Sequence, residues 1–224
     1  MNDTLSIIQV IKTKDGSNTL LHQKYNEIYH SRNGAYSEAM HVFINAGLFY
    51  QLQYFNMVNI LEVGFGSGLN SILTLAHNTQ KVNYTGVDVL PIDWNTVVKL
   101  GYPSLKKIAP IESKYKKMIT ADWNKELTID DNFKLLKLSN CFLNLKFPQK
   151  YNLVYFDAFA PNVQPMMWQK SVFKKIYNNL ETGAILVTYC AKGQVKRDLI
   201  AVGFTVEKLK GPPGKREMIR AIKL

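Results

Sequence analysis

The chain has little cysteine. Its two residues, Cys141 and Cys190, stand far apart in a chain of 224. That excludes a disulfide framework and offers no zinc-ligand spacing. Long hydrophobic runs are also missing: none approaches the ~20 apolar residues that cross a bilayer. The N-terminal MNDTLSIIQV has no basic segment leading an apolar one, so no secretory signal is expected. Internal repeats and the low-complexity tracts of disordered chains are absent too. Together these absences predict a soluble, cytosolic protein with no metal centre and no membrane partner. Acid is scarce against base: 17 Asp and Glu face 28 Lys and Arg, a net charge of +11, with an isoelectric point near 9.5. Such an excess suits a polyanion such as RNA. A lysine-rich, asparagine-rich source genome would give the same sum. The lysines do cluster, at 106–107, 114–117, 192–197 and 208–220, and the last two groups flank the C-terminal strands.

Hydrophobic residues make up 46% of the chain, enough for one α/β domain with a real core. Residues 5–12 and 19–23 read as strands joined at Asp15-Gly16, a hairpin signal. Residues 36–54 have helical spacing, with Gly47 as the expected break. A β–α repeat follows. Strands are predicted at 58–63, 84–89, 133–138, 153–156, 184–189, 204–209 and 218–222, with helices at 69–77, 92–100, 165–180 and 194–202. This alternation predicts a doubly wound, seven-stranded, mostly parallel sheet carrying an N-terminal hairpin and helix extension. The expected division is an extension over 1–57 packed on a core over 58–224, in one structural unit.

Two strand ends carry the chemistry. After the first core strand comes Glu62-Val63-Gly64-Phe65-Gly66-Ser67-Gly68-Leu69-Asn70. Its GxGxG glycines allow a sharp turn and close approach to a ligand. The dinucleotide fingerprint is spaced GxGxxG and cradles a pyrophosphate. Here Glu62 stands two residues before the first glycine. A carboxylate there repels pyrophosphate but suits a cationic ligand that bears an amino acid, such as S-adenosylmethionine. Asp88, ending the next strand, is placed to accept ribose hydroxyls. The second strand end is YNLVYFDAFAPNVQPMMW, residues 151–168. Its apolar strand stops at Asp157 and meets a loop with Pro161, Pro165, Phe159 and Trp168. In open α/β sheets ligands bind at that edge, so Asp157 is the candidate catalytic group. A helix cap is the bland alternative for Asp157.

With these segments in place, the chain resembles the methyltransferase domain of the bifunctional tRNA 5-methylaminomethyl-2-thiouridine biosynthesis family (MnmC/MnmD-type). The resemblance lies in GAYSE (34–38) running into HVFI (41–44), in Glu62 to Asn70, in FDAFAPNVQPMMW (156–168), and in Gly203-Phe204 with GKREM (214–218). It implies a Rossmann-like class I methyltransferase in a stand-alone form without the family's flavin oxidase. It also implies methyl transfer from S-adenosylmethionine to the primary amine of 5-aminomethyl-(2-thio)uridine at the tRNA wobble position. A separate enzyme would supply that amine, and the anticodon stem-loop would be the macromolecular partner.

On this resemblance Asp157 positions the amine, its ordinary carboxylate pKa of ~4 making it a weak base for an alkylammonium near ~10. Glu62, Gly64, Gly66, Gly68, Asn70, Asp88 and Asp157 are expected at the cofactor. Asn140 is expected at adenine, with Asp122 as its rival. Glu38 is expected near the amine or the cofactor, against a helix-capping role. Phe159, Pro161, Met167, Trp168 and Tyr189 would wall a flipped uridine, with core packing as the alternative for Met167. Lys192, Lys196, Arg197, Lys215 and Arg216 would meet phosphates, each against a merely solvated side chain. Three other readings stay open: a small-molecule amine methyltransferase, a non-catalytic RNA-binding module on the same fold, and a nicotinamide oxidoreductase. The glycine spacing and Glu62 disfavour the last.

Overall fold

A computed structural model of the chain describes residues 8–23, 27–29 and 31–224. Residues 5–7 of the predicted first strand lie outside the described residues. In chain order come β1 (Ile8–Lys12), β2 (Asn18–His22) and β3 (Glu27–Ile28), a small antiparallel sheet. A helix follows: α1 (Ala35–Ala39), a π-helical segment (Met40–Leu48) and α2 (Phe49–Gln51). The core comprises β4 (Met57–Val63), α3 (Leu69–His77), β5 (Lys81–Asp88), α4 (Trp94–Lys99), α5 (Glu112–Thr120), β6 (Glu126–Asp130) and β7 (Phe133–Ser139). It continues through β8 (Tyr151–Phe156), α6 (Lys170–Asn178), β9 (Leu180–Thr188), α7 (Gly193–Val202), β10 (Thr205–Lys210) and β11 (Glu217–Ile222).

The main sheet runs β10–β11–β9–β8–β4–β5–β7–β6. β9, β8, β4, β5 and β7 pair in parallel, while β11 and β6 run antiparallel to their neighbours. All six residues of β8 and the last six of β4 are buried, as expected of central strands covered on both faces. Their alternate side chains enter different cores. Ile60 and Leu153 join Val42, Ile72 and Tyr115 on one face. Leu61 and Val154 join Val172, Phe173 and Leu199 on the other. The chain order turns back between β4 and β8, so their C-terminal ends form the crevice where such sheets hold ligands.

The sheet has eight strands, not seven. The additional strand, β6, doubles back on β7 as an edge. Of its five residues only Ile129 is buried, and acids stand at both ends, so its apolar pattern is too thin to signal a strand. Charged ends also suit an unpaired edge. Gly47 does not break the first helix. It lies inside the π-helical segment, where an added Cβ would come within 3.1 Å of Val187 Cγ2 and 3.2 Å of Tyr155 Cε1. Glycine serves there for close approach to the sheet, not as a stop. The helix expected over 165–180 is shorter: a 3-10 turn at Pro165–Trp168 precedes α6, and Leu180 already opens β9.

The N-terminal segment shares the main core. Leu20, Ala35 and Ala39 are buried with Ile60 and Leu153. Tyr102 Oη donates to the Asn18 carbonyl at 2.7 Å, and Asn18 Nδ2 donates to the Leu100 carbonyl at 3.1 Å. Among the described residues no helix is long and apolar enough to cross a membrane.

Candidate active site

At the end of β4 the chain turns through Gly64, Gly66 and Gly68, with φ values of 93°, 49° and 71°. These lie in the left-handed region that side chains resist. At Gly64 the constraint is double, because a Cβ would sit 2.5 Å from the Asp157 carbonyl oxygen. The glycine loop and the Asp157 loop are therefore in backbone contact. Gly68 caps α3, whose first turn carries Asn70.

Asn70 joins the two loops. Its Nδ2 donates to Glu62 Oε1 at 2.8 Å and to Asp157 Oδ2 at 3.0 Å. Glu62 is fully buried, and its second oxygen accepts from Tyr84 Oη at 2.8 Å. Burial raises the Glu62 pKa well above the carboxylate range; the bonds from Tyr84 and Asn70 oppose this, and the Asp157 charge adds to it. Asp88 is braced differently. Its carboxylate accepts from the backbone N–H groups of Gly66, Val89 and Leu90 at 2.7, 2.7 and 2.9 Å. A carboxylate has lone pairs to spare beyond three such bonds, so Asp88 can still accept a hydroxyl.

Between the loops lies a cavity of about 400 Å³. Of the residues singled out from sequence, Gly64, Gly66, Asn70, Asp88, Asn140, Asp157, Phe159 and Met167 line it. Glu62 and Gly68 do not line it: Glu62 is fully buried and meets the cavity through its bond from Asn70, and Gly68 caps the helix that carries Asn70. Asn140 lines the cavity, whereas the Asp122 side chain is 80% exposed. Trp168 and Pro161 do not line it. Trp168 is buried against Phe156, ring centroids 4.9 Å apart, and its Nε1 donates to the Phe159 carbonyl at 2.7 Å. It braces the Asp157 loop from behind. Val163 and Gln164 of the FAPNVQPMMW loop also line it, and so do residues without a sequence signal: Tyr29, Phe142 and Leu143. Tyr29 packs edge-on to Phe159 at 5.2 Å and lies beside Gly66. Its segment, EIY, carries no periodic pattern that would have marked it.

The cavity fits an S-adenosylmethionine-sized ligand. Its volume falls in the ordinary range for ligand pockets, ~300–1,000 Å³. Asn70 Oδ1 is buried with no hydrogen-bond partner among the described residues, and Asn70 lines the cavity. An orphaned acceptor of this kind suits an incoming ammonium.

Asp157 departs from its expected ordinary pKa. Burial, reinforced by the negative charge of Glu38, pushes it up to about 7, against the opposing effects of the Asn70 bond and the Lys215 charge. Glu38 and Lys215 form an ion pair at 2.5 Å. Lys215 therefore faces a carboxylate rather than open solvent, and its Nζ lies 3.8 Å from the Tyr189 ring centroid. Tyr189 Oη donates to the Ala158 carbonyl at 2.8 Å, so this ring sits behind the Asp157 loop rather than in the cavity wall. Lys192, Arg197 and Arg216 are exposed and Lys196 is half-buried.

Residues 106–224 match the family model described as S-adenosyl-L-methionine-dependent methyltransferase. Among curated proteins, the tRNA 5-methylaminomethyl-2-thiouridine biosynthesis bifunctional protein MnmC of Burkholderia mallei is 28% identical over 242 residues, covering 98% of this chain and 36% of its own length. The chain thus spans about a third of the length of these curated relatives. The crystal structure of MNMC2 from Aquifex aeolicus superposes with a TM-score of 0.73 at 22% identity, over 96% of this chain and 70% of that one. S-adenosylmethionine-bound CalS10, an amino pentose methyltransferase from Micromonospora echinaspora, superposes with a TM-score of 0.52 at 10% identity, over 86% of this chain and 93% of that one. With more than half of its length matched by the family model and its glycine loop, switch-point cavity and Asp157 on one sheet edge, the chain belongs to the S-adenosyl-L-methionine-dependent methyltransferases.

Proposed function

We propose that the enzyme methylates the primary amine of 5-aminomethyl-(2-thio)uridine at the tRNA wobble position, giving 5-methylaminomethyl-(2-thio)uridine. The observation that carries this reading is Asp157, a carboxylate that lines the cavity, is held against the glycine loop by Asn70, and is pushed up to about 7 by burial. The alignment of nearly the whole chain with part of MnmC supports the choice of substrate.

Bound S-adenosylmethionine supplies an electrophilic methyl group. Gly64, Gly66, Asn70 and Asp88 would hold it on the glycine-loop side, and Asn140 is the candidate at adenine. The acceptor arrives as an alkylammonium of pKa ~10 and has no lone pair until a proton leaves. Asp157 ionises near neutrality, so it both pairs with the ammonium and offers a place for that proton. A carboxylate at ~4 would leave the transfer about 8 kcal/mol uphill, whereas one near ~7 leaves about 4. The burial that raises the pKa thus turns a positioning group into a usable base, while alignment of nitrogen and methyl supplies much of the remaining acceleration. Phe159 and Met167 wall the cavity where the uracil ring would enter, and exposed Lys192 and Arg216 are available to anticodon phosphates. Such a substrate places the enzyme in the cytoplasm with tRNA, and the aminomethyl group comes from a separate activity.

Mass analysis of wobble nucleosides from cells lacking the protein tests the proposal. Accumulated 5-aminomethyl-2-thiouridine supports it, and an unchanged nucleoside profile overturns it. Binding to tRNA should also weaken steeply as salt rises.

A further inference from the structure

The Glu38–Lys215 pair is out of place for a surface salt bridge. The Glu38 side chain is only 7% exposed and that of Lys215 31%. Each partner is anchored. Glu38 Oε1 meets Lys215 Nζ, while Oε2 accepts from the Ser31 backbone N–H at 2.8 Å. Lys215 stands on the Gly211–Arg216 turn between β10 and β11, closed by Lys215 N–H donating to the Pro212 carbonyl at 2.9 Å and Gly211 N–H to Arg216 at 3.1 Å. Its ammonium also lies over Tyr189, which bonds to the carbonyl of Ala158, the residue after Asp157. A part-buried pair of this kind adds little net stability, because desolvation offsets the attraction. Its placement therefore calls for another reason.

Groups from six parts of the fold act on Asp157: Asn70 of α3 by a hydrogen bond, and Glu62 of β4, Tyr84 of β5, Glu38 of α1, Tyr189 after β9 and Lys215 of the β10–β11 turn electrostatically. Both tyrosines are held neutral, burial raising each well above the usual phenol range. Burial likewise favours the proton on Glu62. That leaves Glu38 and Lys215 as the charged groups of opposite sign acting on Asp157.

We infer that Glu38 and Lys215 are a matched pair of positioning residues that set the charge state of Asp157, the Glu38 carboxylate favouring a protonated Asp157 and the Lys215 ammonium an ionised one. The inference rests on the reading of Asp157 as the amine-facing carboxylate. It removes Lys215 from the phosphate contacts and gives it work within the site. It also explains why residues from both halves of the chain must converge there.

The test is a carbon-13 NMR titration of the Asp157 carboxyl in the free, full-length protein, assigned by Asp157→Asn. Glu38→Gln should move the midpoint down, since a negative neighbour is lost and Lys215 is left unopposed. Lys215→Met should move it up. Each shift should be on the order of half a pH unit or more. The double variant should return most of the way, and Lys215→Arg should hold the original midpoint. The Gln side chain can still accept from Ser31 and Met retains the aliphatic stem, so both folds can be verified by thermal melting. Shifts in the same direction, or unmoved midpoints with lowered melting temperatures, would make the pair merely structural and overturn the inference. The acid limb of kcat/KM for methyl transfer should move as the NMR midpoints do. If the NMR midpoints diverge as expected while the wild type transfers no methyl to tRNA, the pair stands and the substrate reading falls.

Discussion

The glycine loop and the Asp157 loop share one sheet edge and are built on opposite plans. The first is fixed through its own backbone: three positive-φ glycines at alternate positions, a helix cap at Gly68, and Asp88 accepting from the Gly66 N–H. The second is fixed from outside. Trp168 and Tyr189 hold its carbonyls, and an aromatic cluster backs it. Their acids differ in the same way. Both Glu62 oxygens are bonded and the residue is fully buried. Among the described residues Asp157 receives one side-chain bond, from Asn70, and it borders the cavity. A rigid cradle with a closed acid suits an invariant ligand, whereas a braced loop with an underbonded acid suits a group that must change protonation.

Asp157→Ala should separate the two regions most completely. We expect a loss of roughly 10³-fold in methyl transfer, in the middle of the range for a positioned acid–base group, with S-adenosylmethionine affinity by calorimetry within about threefold of wild type. Equal loss of both would show that the two loops do one job. Gly64→Ala attacks the point where the loops touch. A left-handed φ of 93° and a Cβ 2.5 Å from the Asp157 carbonyl should together cost roughly 2–4 kcal/mol, read as a lower melting temperature and weakened cofactor binding alike.

The protonation difference has its own signature. The folded pKa of Asp157, about 7, lies above the ordinary carboxylate value of 3.8, so the folded state holds the proton more tightly than the unfolded chain. That contribution to stability is complete below about pH 4 and is lost as pH rises through about 7. Asp157→Asn never ionises and escapes the loss. In urea denaturation it should gain roughly 2 kcal/mol over wild type at about pH 8 and little at about pH 4, while losing activity, a stability–function trade-off located in one side chain. Trp168→Phe should give the smallest effect. It removes the Nε1 bond to Phe159 at a cost of about 1 kcal/mol, expected as a raised KM for the amine acceptor with cofactor affinity unchanged.

Much of this frame was legible in the residues, for a physical reason. Central strands are buried on both faces, so β4 and β8 write themselves as apolar runs, and the groups at their ends, Glu62 and Asp157, follow at once. Edge elements leave weaker traces. β6 buries only Ile129, and α5 hides Tyr115, Met118 and Ile119 inside a stretch that reads as a lysine cluster. Lys137 shows the limit of composition. It sits 1% exposed on β7 with Nζ donating to the Ile119 carbonyl at 2.7 Å, and burial pushes its pKa down to about 8. The cavity walls at Tyr29, Phe142 and Leu143 come from segments without periodicity, brought together only by the tertiary fold. The pKa of Asp157 is not legible in the sequence, because burial and the neighbouring Glu38 charge set it rather than its residue type.

The Glu38–Lys215 bond joins residues 177 positions apart. Contacts so remote close at high entropic cost and form only after the sheet between them is in place. Substitutions at either end should therefore leave the folding rate nearly unchanged and speed unfolding instead. On that account catalytic competence is the last property the chain gains as it folds and the first it gives up as it opens. Exchange of the Ser31 amide, which donates to Glu38, should then report loss of activity before any central strand unfolds.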